Sequence, residues 1–482
     1  MTNSTVPDAT RCTIEGVELY ERDVKLRMPF RFGVVTLTEA PQAFVRVLVR
    51  TEDGREAWGL AAELLAPKWF DKNTALTNEQ NFDQLRRSIL IAADAYTSDT
   101  VPRSAFDHFA ARYRGQIAAC GAEALNPLVA SYGPALLDRA VLDGLLRALN
   151  LSFFSAMRGN LPGMRVTDLT PDLSGFDLDD FLAGLAPATT LAARHTVGLV
   201  DAITGTELKA PINDGLPETL EQVVAAYGHR YFKLKVGGDL AADLDRLERI
   251  ASVIDRALPD YQASLDGNEQ YENVDGIAEL WANIEASPKL ERLARSTLFI
   301  EQPIHRGHAF ERPVTALAAQ KPLLIDESDG TLDAFLEAKS LGYTGVSSKA
   351  CKGFYKSFLN AARCALWNRG TRGAHYFMSA EDLTCQAGVA VQQDLAIVAL
   401  LGVTHVERNG HHYVNGFAGA AGDEAKQFLA AHPDLYELRA GGERLRIDRG
   451  NLAIGSLGCV GFGTAAMPDW SRLRKLSTVR PR

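Results

Sequence analysis

The spacing of three acidic residues that end short apolar runs constrains the fold of this chain more than any other feature. Asp266 follows Ala-Ser-Leu, Glu301 follows Leu-Phe-Ile and Asp326 follows Leu-Leu-Ile. Lys235 lies 31 residues before Asp266, the steps between the acids are 35 and 25 residues, and Lys349 lies 23 residues after Asp326. Because a parallel βαβ unit takes about 30 residues, each step matches roughly one strand and one helix. The spacing predicts one polar residue per strand end in a (β/α)8-type barrel, whose active site lies at the carboxyl ends of its strands.

These residue types indicate a particular chemistry. Three carboxylates from neighbouring strands would form an all-oxygen site for a hard cation such as Mg2+, with Mn2+ as an alternative. Lys233 and Lys235 stand two apart on a predicted strand, so both face the barrel interior. Neighbouring positive charge and burial would lower a lysine pKa toward neutrality and allow proton transfer. The pattern predicts abstraction of a proton next to a carboxylate through a metal-stabilised enediolate.

A set of short motifs carries a family resemblance. They are Lys-x-Lys (233–235), Asp-x-Asn (266–268), Glu-Gln-Pro (301–303), Asp-Glu-Ser (326–328) and the single Lys349. In this order they resemble the enolase superfamily, in the muconate-lactonizing-enzyme-like subgroup of the mandelate racemase/muconate lactonizing enzyme family. The similarity extends to the chain ends. The segment 20–41, with Met-Pro-Phe-Arg-Phe-Gly at 28–33, resembles the start of the capping domain with its mobile specificity loop, and 455–462 resembles the closing segment.

The resemblance implies a role for each matching residue. Asp266, Glu301 and Asp326 would be metal ligands, and Lys235 and Lys349 would be the acid/base pair on opposite faces of a small carboxylate substrate. Lys233 would tune Lys235 and contact the substrate carboxylate. Four further residues would support the ligands or contact substrate: Asn268, Glu327, Arg31 and Arg306. Glu327 could instead cap the next helix, and the two arginines could equally be surface residues.

The resemblance also implies a domain organisation. An α/β barrel of the modified TIM type would occupy 141–410, with an insertion near 150–205. Residues 1–140 would form an α+β capping domain, which 411–482 would complete. Local patterns agree, since 43–50 alternate apolar and polar before a turn at 51–56, which predicts a hairpin. A helix is predicted over 136–149 with Pro134 near its start, and the basic end from Arg472 to Arg482 is expected to be solvated.

Composition excludes several other classes of protein. Among 482 residues, 46% are hydrophobic and the net charge is −9, so we expect no nucleic-acid and no membrane partner. Six scattered cysteines indicate free thiols in a reducing compartment, and the polar N-terminus has no apolar signal core. A cytoplasmic enzyme is the expectation, and the resemblance adds a homo-oligomer.

Several alternatives remain open at this stage. Racemisation or epimerisation would use both lysines, whereas a cycloisomerase, or a dehydratase acting by β-elimination, could use one. A mandelate-racemase-like mechanism would use a histidine, with His375 nearest to that place, and Lys352 could compete with Lys349. The predicted eighth strand, 403–410, lacks the Asp-x-Asp pair of dipeptide epimerases. A barrel without catalysis and a Schiff-base aldolase using Lys349 are minor readings.

Overall fold

The structure is a computed structural model that describes residues 9–479 except 371, 372, 374, 418 and 421. Its strands are β1 (Arg11–Phe32), β2 (Val35–Thr51), β3 (Glu56–Leu64), β4 (Arg103–Ser104), β5 (Thr190–Val197), β6 (Tyr231–Lys235), β7 (Gln262–Asp266), β8 (Thr297–Glu301), β9 (Leu323–Ile325), β10 (Gly345–Ser348), β11 (Phe377–Ala380), β12 (His405–Arg408), β13 (Tyr436–Arg439), β14 (Gly442–Leu445), β15 (Asn451–Ala453) and β16 (Arg474–Val479).

The α-helices follow in the same chain order. They are α1 (Asn78–Thr97), α2 (Ala105–Ala122), α3 (Pro127–Leu149), α4 (Phe153–Arg158), α5 (Leu178–Gly184), α6 (Leu220–Tyr227), α7 (Leu240–Ala257), α8 (Val274–Ala286), α9 (Glu291–Ser296), α10 (Thr315–Ala318), α11 (Ala334–Ser340), α12 (Phe354–Trp367), α13 (Val389–Leu401), α14 (Gly410–Tyr413) and α15 (Gly422–Ala431). In the described part of the chain, none of them is both long and apolar enough to cross a membrane.

The central sheet is a closed barrel. Strands β5 to β12 are neighbours in chain order and each pair that follows along the chain is parallel. The last strand closes on the first, since His405 to Arg408 of β12 pair in parallel with Ala192 to His195 of β5. The predicted (β/α)8 barrel is therefore confirmed. Apolar residues of the surrounding helices pack against the strands, as with Leu247 and Ile250 of α7.

A second, antiparallel sheet joins both ends of the chain. Strands β1, β2 and β3 are consecutive neighbours, and β16 pairs with β1 from its other side. The expected hairpin over 43–56 is part of this sheet. Arg474–Val479 is thus a strand rather than a solvated tail, because β1 offers it an unpaired edge. Residues 480–482 lie outside the described residues, and the domain boundaries at 140 and 410 stay predictions.

The connection before the barrel is shorter than the sequence suggested. The first barrel strand, β5, begins at Thr190 and so lies within the range assigned to an insertion near 150–205. Helices α4 and α5 occupy the connection itself, with Asp177 capping α5 through the backbone nitrogen of Asp180. The acidic composition of this segment therefore reflects helix capping and short turns.

Pro134 lies inside helix α3, which corrects the expectation that it marks the helix start. The helix begins at Pro127, with Asn126 accepting a hydrogen bond from the backbone nitrogen of Val129. A proline has no N–H to donate to the carbonyl four residues earlier, here that of Ala130. Two side chains from neighbouring helices donate to this oxygen instead: Ser88 Oγ and Gln116 Nε2, each at 3.2 Å. Packing between helices therefore compensates for the proline.

We predict that Gly59→Ala will destabilise the protein strongly. Strand β3 crosses α3 at two glycines, and a Cβ on Gly59 would overlap the backbone nitrogen of Gly144 and the carbonyl of Ala140. Backbone on a packed helix cannot move aside, so we expect a loss of about 3 kcal/mol or more in the free energy of unfolding. Urea unfolding followed by circular dichroism measures it.

Gly115→Ala is the matched control for this substitution. Gly115 is an exposed residue within α2, and a Cβ there would meet no atom within 4 Å. Alanine should stabilise that helix by about 0.5–1 kcal/mol. Equal effects of the two substitutions would contradict the close strand–helix crossing.

Candidate active site

The carboxyl ends of the barrel strands bring the sequence-predicted residues together. Lys235, Asp266 and Glu301 form one row across three strands, because Lys235 pairs with Asp266 and Asp266 with Glu301. Asp326 directly follows β9 and Lys349 directly follows β10. The three carboxylates are fully buried and the two lysines are nearly so. One end of the barrel therefore holds a closely packed set of charges.

Lys233 lies at the centre of this set. Its Nζ is 2.8 Å from Asp266 Oδ2, 2.8 Å from Glu301 Oε2, 2.7 Å from Glu381 Oε2 and 2.9 Å from Glu407 Oε2. A buried carboxylate is stable only when it is paired, and here one ammonium serves four of them. Lys233 thus holds together groups from both sides of the barrel.

Sequence reasoning missed Glu381 and Glu407. Glu381 follows β11, where it also pairs with Arg194 of β5, and Glu407 lies in β12, where it accepts from Thr196 Oγ1 at 2.5 Å. Glu381 directly follows its strand, and Glu407 lies one residue before the end of β12. The available signal was an acid next to a short apolar run, as at the three predicted ligands.

Lys235 shares Asp266 with Lys233 and has Asn268 as a further partner. Its Nζ donates to Asp266 Oδ2 and to Asn268 Oδ1, both at 2.6 Å. Asn268 in turn donates through Nδ2 to Glu327 Oε1 at 3.0 Å. Burial, together with the charges of Asp326 and Glu269, raises the pKa of Glu327 to about 7. Asn268 therefore orients Lys235, and Glu327 supports Asn268.

Lys349 lies on the other side of the site. Its Nζ is 2.6 Å from Asp326 Oδ2 and 4.3 Å from the centre of the Trp69 ring, a cation–π distance. Lys352 approaches Asp326 less closely, at 3.3 Å, and donates to Ser347 Oγ at 2.6 Å and pairs with Asp329 at 3.0 Å. Of the two lysines, Lys349 is the one that lines the cavity described below.

The pKa directions differ from the sequence-based expectation. Burial acts to lower the pKa of Lys233, but its four carboxylates outweigh burial and hold it well above the ordinary value. In the same way Asp326 outweighs burial at Lys349 and raises the pKa of that lysine. Carboxylates are the nearest charges of both lysines and raise their pKa values, so the lowering expected beside a bound cation stays a prediction.

A small cavity lies between the barrel and the β1–β2 hairpin. Phe30, Phe32 and Leu37 of the hairpin form one wall, and Trp69 adds a further ring. The polar residues that line it are Lys235, Asn268, Lys349, Asp382, Thr384, Glu407 and Asn409. The hairpin turns at Gly33, whose φ of +50° suits glycine, close to the backbone oxygen of Asn268. The antiparallel sheet thus covers the strand ends.

Three other predicted or considered residues lie away from this cavity. Arg306 forms a bidentate ion pair with Glu269, at 2.7 and 2.8 Å. It also donates to the backbone oxygens of Trp69 and Phe70. Arg306 therefore holds the segment that carries Trp69. Arg31 is exposed on the hairpin, and His375 is exposed before β11, at the end of that strand opposite Glu381.

The residues present fit a hard divalent cation. Asp266 and Glu301 already converge on one positive charge, because the Nζ of Lys233 lies 2.8 Å from an oxygen of each. Asp326 adds a third fully buried carboxylate, and burial, followed by the charges of Asp266, Glu381 and Asp326, raises the pKa of Glu301. Such an oxygen-only donor set is what Mg2+ prefers.

Comparison with solved structures finds the same fold along nearly the whole chain. An enolase from Bradyrhizobium, in complex with magnesium and mandelic acid, has a TM-score of 0.60 at 15% identity, over 97% of this chain and 99% of that one. A Listeria innocua Clip11262 member of the enolase superfamily has a TM-score of 0.59 at 15% identity, over 97% and 98%. A Roseovarius nubinhibens ISM protein, named for the mandelate racemase/muconate lactonizing enzymes, has a TM-score of 0.57 at 16% identity, over 97% and 100%.

The chain therefore has the fold of the enolase superfamily, as the resemblance implied. No family model matches the sequence, and no curated protein matches it. At these identities the likeness establishes the fold, so the chemistry has to be argued from the residues of the site.

Lys233→Met should destabilise the protein by about 3–5 kcal/mol, because it leaves buried carboxylates without their shared partner. The loss should shrink as the pH falls from 8 to 5. Without Lys233 the buried carboxylates should have raised pKa values. Acidification therefore protonates them and removes their mutual repulsion. Urea unfolding across this pH range in the presence of a chelator measures both effects.

Lys289→Met is the control for loss of a lysine. Lys289 is exposed and pairs only with Glu248 at 2.7 Å among the described residues, so its replacement should cost less than about 1 kcal/mol. If the loss in free energy of unfolding caused by Lys233→Met grows on acidification, the central role of this lysine is contradicted.

Proposed function

We propose that the protein is a member of the enolase superfamily, in the mandelate racemase/muconate lactonizing enzyme group, and removes the α-proton of a small carboxylate. The observation that carries the proposal is that Lys235 and Lys349 both line one cavity, each bonded to a different predicted metal ligand. A (β/α)8 barrel has its active site at this end of the strands. The proposal is therefore an isomerase or a lyase of this superfamily.

Asp266, Glu301 and Asp326 are the proposed ligands of one Mg2+, with Mn2+ as an alternative. When bound, the cation would stabilise negative charge that develops on the substrate carboxylate as the α-proton leaves. The neighbour from Bradyrhizobium was solved with magnesium, and a protein from Roseovarius nubinhibens ISM was also solved with magnesium. The donor chemistry of this chain supports the same metal.

Lys235 and Lys349 are the proposed acid and base. They belong to the second and sixth of the eight barrel strands, four places apart in the closed ring, so they approach the cavity from opposite sides. One lysine would take the α-proton from one face of the substrate, and the other would deliver a proton to the opposite face. This arrangement supports racemisation or epimerisation first, with cycloisomerisation and β-elimination as alternatives.

The cavity walls indicate which part of a substrate lies where. The carboxylate would be held among the charges at the strand ends, where Lys233 contributes a positive charge beneath the row of acids. The remainder would contact Phe30, Phe32 and Trp69. A small carboxylic acid with an apolar substituent fits this division. A homo-oligomer, implied by the resemblance, and a cytoplasmic location, expected from the composition, stay predictions.

The first test is hydrogen–deuterium exchange at the α-carbon. In D2O with Mg2+, the wild-type protein should introduce deuterium into at least one member of a panel of small carboxylic acids, detected by NMR. If both lysines act, Lys235→Ala and Lys349→Ala should each abolish exchange, by at least about 100-fold, from one enantiomer. If a single lysine is essential, a cycloisomerase or a dehydratase is the better account.

Lys289→Ala serves as the control in the exchange experiment, since this lysine is exposed and pairs with Glu248 rather than with a residue of the site. Equal exchange by the wild-type protein and both site variants would overturn the assignment of the lysines. Absence of exchange with every acid in a protein that binds Mg2+ would count against α-proton abstraction on this class of substrates.

Mg2+ binding provides an independent prediction. Asp266→Asn and Asp326→Asn should each weaken Mg2+ binding by at least about tenfold in calorimetric titration, because a neutral amide oxygen is a poorer ligand for a hard cation. Glu327→Gln is the matched control, since it is buried beside Asp326 but bonds to Asn268. Unchanged binding in both aspartate variants would show that these residues do not hold the metal.

A further inference from the structure

Three histidines form a cluster outside the barrel interior. On β5 the side chains of Arg194 and Thr196 point inward, to Glu381 and Glu407, so His195 between them faces the outer layer. His229 stands just before β6 and His411 lies in α14. The ring centres of the three are 5.2, 5.5 and 5.7 Å apart, which is nearly an equilateral triangle.

Four ring nitrogens of this cluster lack hydrogen-bond partners among the described residues. His195 Nδ1, His229 Nε2 and both ring nitrogens of His411 are buried and make no hydrogen bond with any described residue. A buried polar atom without a partner costs about 1–3 kcal/mol. Four such atoms in one place are therefore expensive unless a further group satisfies them.

We propose that His195, His229 and His411 bind a divalent transition-metal ion, with Zn2+ as the best fit. One nitrogen from each ring lies within 4.8 Å of the other two. Zn–N bonds of about 2.0–2.1 Å in a tetrahedral site place ligand nitrogens about 3.4 Å apart. Bringing the three nitrogens to this separation requires side-chain shifts of about 1 Å. Water would occupy the fourth coordination position.

The hydrogen bond of His229 supports this assignment. Its Nδ1 lies 2.9 Å from the backbone oxygen of Ala193, to which only a protonated Nδ1 can donate. The same contact leaves Nε2 as the unprotonated nitrogen, and this atom is buried and makes no hydrogen bond with any described residue. Metal-binding histidines commonly donate their other nitrogen to a carbonyl in this way.

The electrostatic surroundings keep the rings available as ligands. Burial and the neighbouring imidazoles hold the pKa of His195 and of His411 well below the ordinary value, so both are neutral. The nearest guanidinium groups are already paired, Arg27 with Asp214 and Arg408 with Asp382 and Asp394. Neutral imidazoles select Zn2+, Co2+, Ni2+ or Cu2+ rather than Mg2+.

A metal at this place would stabilise the wall of the substrate cavity. Helix α14 contacts the β1–β2 hairpin directly, since Tyr413 stacks on Phe30 at 4.1 Å and the backbone oxygen of His412 accepts from Arg27 at 3.2 Å. The three histidines would connect α14 to β5 and to the start of β6. The proposed role is structural, and it is independent of the function proposed for the carboxylate site.

The alternative is a packed group of neutral rings with no metal. Tyr227 contacts His229 and His411 edge-on, at 5.7 and 5.4 Å between ring centres, as aromatic side chains in a core do. Such packing stabilises the rings but leaves their nitrogens unsatisfied. The two accounts differ in whether the protein binds one equivalent of metal through imidazole.

The test measures metal binding by protein that carries no affinity tag. Metal-stripped protein in excess Mg2+ should bind one equivalent of Zn2+ per chain by elemental analysis, and its melting temperature should rise. X-ray absorption at the zinc edge should show three imidazole nitrogens at about 2.0 Å. His229→Phe and His411→Phe, which retain a ring, should lose that equivalent and the rise in melting temperature.

His432→Phe is the matched control. His432 is also buried, but its Nδ1 contacts Ser456 Oγ at 3.0 Å and its Nε2 accepts from the backbone nitrogen of Ala465 at 3.1 Å. It should retain the bound Zn2+. Absence of Zn2+ binding by the wild type, or a zinc spectrum with oxygen ligands only, would overturn the proposal whether or not the variants fold. Equal binding by the folded variants would also overturn it.

Discussion

The ammonium group of Lys233 is the interaction on which the rest of the site depends. It joins Asp266 and Glu301, at the ends of β7 and β8, to two acids from the last two barrel strands. These are Glu381, which follows β11, and Glu407 in β12. Without a shared cation these carboxylates would repel one another in a buried space. The same ammonium therefore holds these four acids together at one end of the barrel.

Closure of the barrel has a second consequence for the cavity above it. Because β12 pairs with β5, the short helix α14 follows directly at the edge of the site and meets the β1–β2 hairpin through Tyr413 and Phe30. The hairpin in turn belongs to a sheet that contains both ends of the chain. A change in how that sheet packs would move Phe30 and Phe32, so distant residues can influence the cavity wall.

How much the sequence could predict depends on how local each signal is. Asp266 and Glu301 each end an apolar run, so their position needed only local pattern and spacing. The importance of Glu381 and Glu407 comes from Lys233, which lies 148 and 174 residues away, and it becomes visible only once the barrel closes. Pro134 was misplaced for the same reason, since Ser88 and Gln116 supply the missing hydrogen bonds from other helices.

The two polar clusters differ in donor chemistry, and this difference keeps their ligands apart. The barrel interior presents carboxylates, which suit a hard cation, whereas the outer cluster presents neutral imidazoles, which suit a softer one. The alternation of β5 separates them, because Arg194 and Thr196 face the carboxylates while His195 between them faces the other histidines. One strand would thus serve the proposed catalytic site on one face and the proposed structural metal site on the other.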